Sequence, residues 1–215
     1  RPRKCRMVVC GNFQHKDPNE SLYTSQVDIA SVLMALRLGT LFDWEVVALD
    51  IQAAFLYAAL PPEMVVTVRA PKIMTTMGVC NPGEIWRLQR ALYGLRVSPE
   101  LWGLERDAKL RKITWELDGL TYRLVQSRVD GNVWYIRMVA PRNKSSASAS
   151  AFGLPQACPS GYNLYGVIVV YVDDLLLLCR KGGLRAALVK CINDIWTTGG
   201  EQVLTVTQPL VFLWS

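Results

Sequence analysis

Three aspartates have the residue type and the setting that could hold a divalent metal ion. Asp173 and Asp174 are adjacent and lie between two apolar runs, residues 166–172 and 175–178. Such runs are typical of buried strands, so the pair is expected in a hairpin turn at the end of a sheet. Aspartate is also common in turns for structural reasons alone, and this alternative stays open. Two carboxylates held side by side repel each other and become favourable together when a divalent cation binds between them.

A third carboxylate is needed to hold two metal ions about 3.5–4 Å apart. Asp50 is the candidate, because it follows the apolar run 46–49 and ends a predicted strand that could lie beside the hairpin. Its alternative role is to cap a short helix over residues 51–57. The two roles are compatible.

The elements around these aspartates alternate between strand and helix. Strands are predicted over 4–14, 44–51, 65–69, 84–88, 164–179 as a hairpin, 203–213, and within 113–139, which has turns at 118–119 and 130–131. Helices are predicted over 29–41, 98–112 and 184–196, a helical turn near 53–56, and a loop over 70–83. This alternation predicts an α+β domain with a mostly antiparallel sheet and with helices packed on one face.

Two of these helices have a predicted buried face. In the first helix, Asp28 is the expected cap, and the spacing of Ile29, Val32, Leu33 and Leu36 predicts that they are buried. The helix over 184–196 is expected to bury one apolar face. Its predicted members are Leu184, Ala187, Leu188, Cys191, Ile192 and Ile195.

Composition narrows the function classes. The chain has 215 residues, of which 51% are hydrophobic, and a net charge of +6 that suits a polyanionic partner. Its single histidine, His15, and the absence of a C-x-x-C spacing argue against a usual zinc site and against histidine-assisted nucleophilic catalysis. The six cysteines are expected as free thiols in a reducing compartment. The most apolar stretch, 166–179, is interrupted by two aspartates and is too short for a membrane span.

Ordered motifs give a family resemblance. Residues 171–174 (YVDD) resemble the catalytic hairpin of reverse transcriptases, and residues 49–56 (LDIQAAFL) resemble the LDVxxAFL motif of the copia-type retrotransposon branch. Residues 92–99 (LYGLRVSP) are similar to its LYGLKQAP segment, and residues 4–11 (KCRMVVCG) are similar to its KARLVARG opening. Phe212-Leu213 resembles the start of its FLG segment. The motifs follow the family's order over nearly the whole chain.

The resemblance implies a role for each matching residue. Asp50, Asp173 and Asp174 would be the catalytic, metal-binding carboxylates. Residues at the nucleotide would be Lys4 and Arg6 on its triphosphate, Phe55 under its sugar, and Tyr93 and Gly94 at the border of its pocket. Residues at the nucleic acid would be Arg96 near the template, and Tyr171 and Val172 near the primer end.

The resemblance also implies a fold and a reaction. Residues 1–215 would form a reverse-transcriptase palm, with a ferredoxin-like antiparallel sheet and partial fingers. Apart from the resemblance, the richness of residues 140–163 in Ser, Ala, Pro and Gly predicts a flexible insertion. The activity would be RNA-directed DNA synthesis, a nucleotidyl transfer to a primer 3′-hydroxyl with two Mg²⁺ ions. Partners would be an RNA template, a DNA primer, deoxynucleoside triphosphates and the remaining Pol polyprotein domains. The expected location is a cytoplasmic particle and then the nucleus.

Two rival functions stay open. Departures from the family motifs at Cys10, Ala58, Val97-Ser98 and Trp214 fit a decayed remnant that binds nucleic acid without catalysis. The second rival is an unrelated α+β enzyme with a metal-bound carboxylate cluster, such as another palm-type nucleotidyltransferase or a cyclase.

Overall fold

The computed structural model describes residues 7–11, 26–139 and 164–205. The chain divides into two compact units, one of Arg1–Thr24 with Ala53–Arg106 and one of Ser25–Gln52 with Asp107–Ser215. Lys4, Arg6 and the predicted insertion 140–163 lie outside the described residues, as does the tail beyond residue 205.

The described residues form four helices, nine strands and one 3₁₀ turn. The helices are α1 (Ile29–Leu41), α2 (Lys72–Thr76), α3 (Ser98–Leu110) and α4 (Gly183–Asn193), and the 3₁₀ turn is Ala54–Tyr57. The strands are β1 (Glu45–Asp50), β2 (Thr67–Arg69), β3 (Ile85–Arg87), β4 (Thr114–Leu117), β5 (Leu120–Gln126), β6 (Val133–Val139), β7 (Leu164–Tyr171), β8 (Asp174–Cys179) and β9 (Gln202–Val203).

The second unit is built on a seven-stranded sheet in the order β4-β5-β6-β7-β8-β1-β9. Every pair of neighbouring strands in it is antiparallel, which confirms the predicted α+β class and the antiparallel sheet. Strands β7 and β8 form the predicted hairpin near the middle of the sheet. Their residues 166–170 and 175–179 are buried, as expected for apolar runs that are covered on both faces.

Helix α1 begins where its sequence predicts, because the carboxylate of Asp28 accepts a hydrogen bond from the N–H of Ala30 at 2.9 Å. Its predicted buried face is largely wrong. The structure buries Val32 but exposes Ile29, Leu33 and Leu36.

The face that α1 does bury holds Val32, Ala35 and Gly39. At Gly39, an added Cβ would lie 2.9 Å from Leu178 Cδ2, so the small residues let the helix backbone approach the sheet closely. Periodicity favoured the larger side chains, whereas close packing selected the smaller ones.

Strand β8 is buried on both faces, because consecutive residues from Leu175 to Cys179 point to opposite sides and each is at most 3% exposed. Helix α1 covers one face. Its cluster consists of Val32, Ala35, Ala48, Val133, Val167, Val169, Leu176 and Leu178. Helix α4 contacts β4 and β8, and its Arg185 pairs with Glu45, the register partner of Cys179. Cys179 points to the face opposite that of Leu178, so α4 lies on the face that α1 does not cover. The expectation that the helices pack on one face alone is therefore wrong for this sheet.

The remaining elements of the second unit follow local signals. The turn between β4 and β5 has positive φ at Asp118 (52°) and Gly119 (73°), as the predicted two-residue hairpin requires. In α4, Leu184, Leu188 and Ile192 are buried as predicted, together with Val189.

Ion pairs connect α4, and Lys181 two residues before it, to the start of β1 and to the residue that precedes β9. Lys181 pairs with Asp43, and Arg185 pairs with Glu45 at 3.1 Å and with Glu201 at 2.5 Å. The acidic partners Asp43 and Glu45 lie at the end of β1 remote from Asp50. These pairs help to hold β1 and α4 together.

The first unit contains the 3₁₀ turn, the β2–β3 pair and most of α3. Strands β2 and β3 form an antiparallel two-stranded sheet near the predicted positions. Helix α2 was missed, because the loop prediction for 70–83 relied on its prolines and glycines. The predicted strand over 4–14 is wrong for its described residues 7–11, which contain no strand.

Candidate metal centre

The backbone ladder places two of the predicted carboxylates side by side. Asp50 is the last residue of β1, Asp174 is the first residue of β8, and the two are register partners. Partners in an antiparallel ladder project to the same face with their Cβ atoms about 4.5–5.5 Å apart. Asp50, Asp173 and Asp174 each offer a carboxylate oxygen within 4.8 Å of the others.

The turn that carries Asp173 has an unusual backbone. Val172 and Asp173 form the two-residue turn that links β7 to β8, and Val172 has a φ of 52°. A positive φ is disfavoured for any residue with a Cβ and more so for a β-branched one. The turn is held to β1, because the N–H of Ile51 donates to the carbonyl of Asp173 at 2.9 Å. Local strain is therefore found at the residue that precedes two candidate ligands.

The end of β1 has a second backbone neighbour, which sequence reasoning missed. The N–H of Gln52 donates to the carbonyl of Thr197 at 2.9 Å, and the N–H of Gly199 donates to the carbonyl of Asp50 at 2.8 Å. Residues 197–199 follow α4 and contain only threonine and glycine, so neither hydrophobic periodicity nor a motif identified them. They hold Asp50 from the side opposite the turn.

The donor set suits a hard divalent cation. Three carboxylates provide oxygen ligands and up to three negative charges in a small volume, and Mg²⁺ prefers oxygen ligands. Asp50 is exposed, whereas Asp173 and Asp174 are partly buried, so an ion could reach the group from solvent. The residues present therefore fit a divalent metal ion.

Thiol chemistry is disfavoured at the other end of β8. Burial, and after it the nearby Glu45 carboxylate, raise the pKa of Cys179 to about 12, although the Arg185 guanidinium acts in the opposite direction. A thiol with this pKa stays protonated near neutral pH and is a poor nucleophile or metal ligand.

The predicted nucleotide-pocket residues belong to the first unit. Phe55, in the 3₁₀ turn, and Tyr93 form an edge-to-face aromatic pair with ring centroids 4.7 Å apart. The carbonyl of Tyr93 accepts a hydrogen bond from the N–H of Val9 at 2.7 Å. Arg96 is partly buried and precedes α3. The structure thus brings Phe55 and Tyr93 together.

Two glycines allow two of the sequence motifs to pack backbone to backbone. At Gly94, with a φ of 90°, an added Cβ would lie 1.9 Å from the carbonyl oxygen of Val9. At Gly11, an added Cβ would lie 1.9 Å from the carbonyl oxygen of Gly94. Neither position can accept a side chain without backbone movement. The motif over 4–11 therefore contacts the motif over 92–99.

The hydroxyl of Ser98 stabilises the motif over 92–99. It accepts a hydrogen bond from the N–H of Leu92 at 3.1 Å and donates one to the carbonyl of Leu92 at 2.7 Å. Ser98 is fully buried, so these bonds satisfy a polar group away from solvent. They fix the loop that presents Tyr93, Gly94 and Arg96.

The predicted primer-contacting residues belong to the second unit with the carboxylates. Tyr171 is the register partner of Asp174 across the hairpin, and Val172 is in the turn itself. Both are partly exposed. Their proximity to the carboxylates is established, whereas their role toward a primer stays a prediction.

Comparison with known proteins gives the family. Residues 2–137 match the sequence model of the family described as reverse transcriptase (RNA-dependent DNA polymerase). This chain belongs to that family. The reverse transcriptase match includes Asp50 and ends before Asp173 and Asp174.

One curated relative supports the same conclusion. The chain is 24% identical over 186 residues to a retrovirus-related Pol polyprotein from transposon TNT 1-94 of Nicotiana tabacum. That alignment covers 86% of this chain and 11% of the polyprotein, so the chain spans about a tenth of its relative's length. No solved structure matches the chain. The two sequence matches confirm the resemblance of this chain to a copia-type reverse transcriptase region.

Among residues 26–139 and 164–205, no helix is both long enough and apolar enough to cross a membrane.

Proposed function

We propose that this chain is the polymerase core of a copia-type element and catalyses RNA-directed DNA synthesis with Asp50, Asp173 and Asp174 as ligands of two Mg²⁺ ions. One observation carries the proposal. Asp50 and the adjacent pair Asp173 and Asp174 are far apart in the sequence, yet their carboxylate oxygens lie within 4.8 Å of one another at one sheet end. Membership of the reverse transcriptase family supports the type of reaction.

The protein groups would act mainly by positioning. Asp50 and Asp173 would hold both ions and Asp174 would support them, while the β1–β8 ladder and the Ile51–Asp173 hydrogen bond keep the carboxylates in place. When bound, the ions would activate the primer 3′-hydroxyl and neutralise charge on the triphosphate and the leaving pyrophosphate. No protein nucleophile is required, which agrees with the scarcity of histidine.

The first unit would bind the incoming nucleotide. Lys4 and Arg6 would contact its triphosphate, and Tyr93 and Gly94 would border its pocket. Phe55 would face the sugar and exclude a 2′-hydroxyl, and its edge-to-face contact with Tyr93 would limit movement of the ring. Partners would be an RNA template near Arg96, a DNA primer near Tyr171 and Val172, deoxynucleoside triphosphates and the remaining Pol domains.

Primer extension tests the proposal. The substrate is poly(rA)–oligo(dT) with dTTP, with and without Mg²⁺, and the variants are Asp173→Asn and Asp118→Asn. The second variant makes the same charge change in a hairpin turn outside the carboxylate cluster. We expect Mg²⁺-dependent extension by the wild type and by Asp118→Asn, and none by Asp173→Asn. Full activity of Asp173→Asn would refute the catalytic assignment.

A folded wild-type protein that does not extend the primer would support the decayed remnant instead. A binding assay with the same hybrid would then show whether nucleic-acid binding remains. Turnover of nucleotide that ignores primer and template would support an unrelated palm-type enzyme.

Sugar discrimination tests the assignment of Phe55. In Phe55→Ala, loss of the ring is expected to raise ribonucleotide incorporation relative to deoxynucleotide incorporation. The measurement is the ratio of kcat/KM for UTP and dTTP in the same extension assay. An unchanged ratio would show that Phe55 does not contact the sugar.

A further inference from the structure

Residues 197–199 extend the sheet beside the end of β1. Besides the two hydrogen bonds to Gln52 and Asp50, Ile51 and Thr198 form an isolated antiparallel bridge. On its other side, Ile51 bonds to the carbonyl of Asp173. The backbone of Asp50 is therefore held from both sides. Backbone movement can shift its carboxylate only slightly.

Gly199 lies against the carboxylate of Asp50. A Cβ added at Gly199 would lie 3.3 Å from Asp50 Oδ2, 3.7 Å from Asp50 Cβ and 3.8 Å from the Asp50 carbonyl oxygen. All three of its nearest atoms belong to Asp50. The first distance is shorter than an ordinary van der Waals contact, so the carboxylate would have to move by a few tenths of an ångström.

The backbone at Gly199 does not itself require glycine. Its φ lies outside the left-handed region, unlike that of the next residue, Gly200, whose φ is 99°. An alanine could therefore adopt the same conformation, and its main effect would be the contact with Asp50. A larger side chain at position 199 should therefore act mainly by displacing the Asp50 carboxylate.

The stretch that carries Gly199 is anchored to α4, which limits how far it can retreat. The N–H of Trp196 donates to the carbonyl of Ile192 at 2.9 Å, and the Trp196 side chain is 2% exposed. The hydroxyl of Thr198 donates to Asn193 Oδ1 at 2.8 Å. Because the backbone is held, an added side chain would displace the exposed carboxylate instead.

We propose that Gly199 is a positioning residue, whose missing side chain keeps the Asp50 carboxylate in its metal-binding arrangement with Asp173 and Asp174. The inference rests on the proposed function and adds a residue to it. A side chain at 199 shifts Asp50 Oδ2 and occupies space beside the ligand atom. A small displacement at a metal ligand weakens binding, since ligand distances must lie within about 0.2 Å of their preferred values.

The test is Mn²⁺ binding to the 215-residue chain, measured by electron paramagnetic resonance without nucleic acid. The variants are Gly199→Ala and Gly199→Val, and Asp173→Asn serves as the metal-binding control. Gly103→Ala makes the same chemical change in α3, where nothing outside the neighbouring helix backbone lies within 4 Å of the added Cβ. Thr198→Ala removes the bond to Asn193 and adds nothing beside Asp50. Thermal unfolding is recorded for every variant.

We expect Gly199→Ala to raise the Mn²⁺ dissociation constant on the order of 10-fold and Gly199→Val to raise it further, with little change in Tm. Gly103→Ala and Thr198→Ala should leave Mn²⁺ binding unchanged. An unchanged constant in both Gly199 variants, while Asp173→Asn loses binding, would overturn the inference and leave the metal site intact. An equal loss in Thr198→Ala would show that residues 197–199 act only structurally. No Mn²⁺ binding by the folded wild type would overturn both the inference and the proposed metal site.

Discussion

Because Asp173 belongs to the carboxylate cluster, the Asp173→Asn variant should be more stable than the wild type without metal. Its Tm should also rise less than that of the wild type when metal is added. Asp173 contributes to two of the three carboxylate pairs, whose ligand oxygens lie within 4.8 Å. At that separation two unit charges repel by about 1 kcal/mol in a water-like dielectric. Removing one charge should therefore relieve up to about 2 kcal/mol at low ionic strength, and less in 0.15 M salt because the charges are screened.

Thermal unfolding measures this effect. For a chain of this size, 1 kcal/mol corresponds to a shift in Tm of about 2–4 °C. In EDTA and low salt, we expect the Tm of Asp173→Asn to exceed that of the wild type by a few degrees. With Mg²⁺ at about a hundred times its dissociation constant, the wild type should gain about 2.7 kcal/mol from binding, whereas the variant should gain little. The order of the two Tm values should then reverse.

The control is Asp118→Asn, which removes one negative charge in the turn between β4 and β5. Its Tm should respond to Mg²⁺ as the wild type does. A lower Tm for Asp173→Asn than for wild type in EDTA would refute the repulsion argument, because it would mean that the Asp173 carboxylate stabilises the fold. An equal Mg²⁺ response in all three proteins would show that the cluster does not bind the ion.

Three further changes test how the fold is held. Asp28→Ala removes the N-cap bond to Ala30 and should lower the free energy of unfolding, measured by urea titration, by about 1 kcal/mol. Asp28→Ser should restore the cap and the stability. Equal stability of Asp28→Ala and wild type would contradict the capping role. Val172→Gly relieves the positive φ and should raise that free energy by about 0.5–1 kcal/mol, and a decrease would argue against strain there. Gly94→Ala places a Cβ 1.9 Å from the carbonyl oxygen of Val9 and should cost about 3 kcal/mol or more, so wild-type stability would refute the close packing of the two motifs.

Local signals predicted most element positions, because they act over a few residues. The polar side chain of Asp28 marked the start of α1, and Asp118-Gly119 marked a tight turn between two strands. The apolar runs on either side of Asp173 marked a buried hairpin. These features depend on capping, φ preference and strand burial, each of which can be evaluated within a short window of sequence.

The errors arose where packing between distant segments decided the outcome. Helix α1 turns Ala35 and Gly39 toward the sheet because close approach to Leu178 favours small residues, although periodicity favoured Ile29 and Leu33. The apolar run near Val9 forms no strand among its described residues, because its backbone bonds to Tyr93 instead of to a neighbouring strand.

The sequence by itself determined which residues could bind a metal ion and the order in which they occur, because residue type and strand ends are local properties. Only the tertiary structure decided that Asp50 is the register partner of Asp174 and that the three carboxylates meet within 4.8 Å. It alone placed Gly199 against Asp50. The physical reason is that Asp174 and Gly199 are 124 and 149 residues from Asp50 in the sequence. Strand register and the pairing of such distant segments are set by hydrogen bonds and burial over the whole sheet, and no short stretch of sequence specifies them.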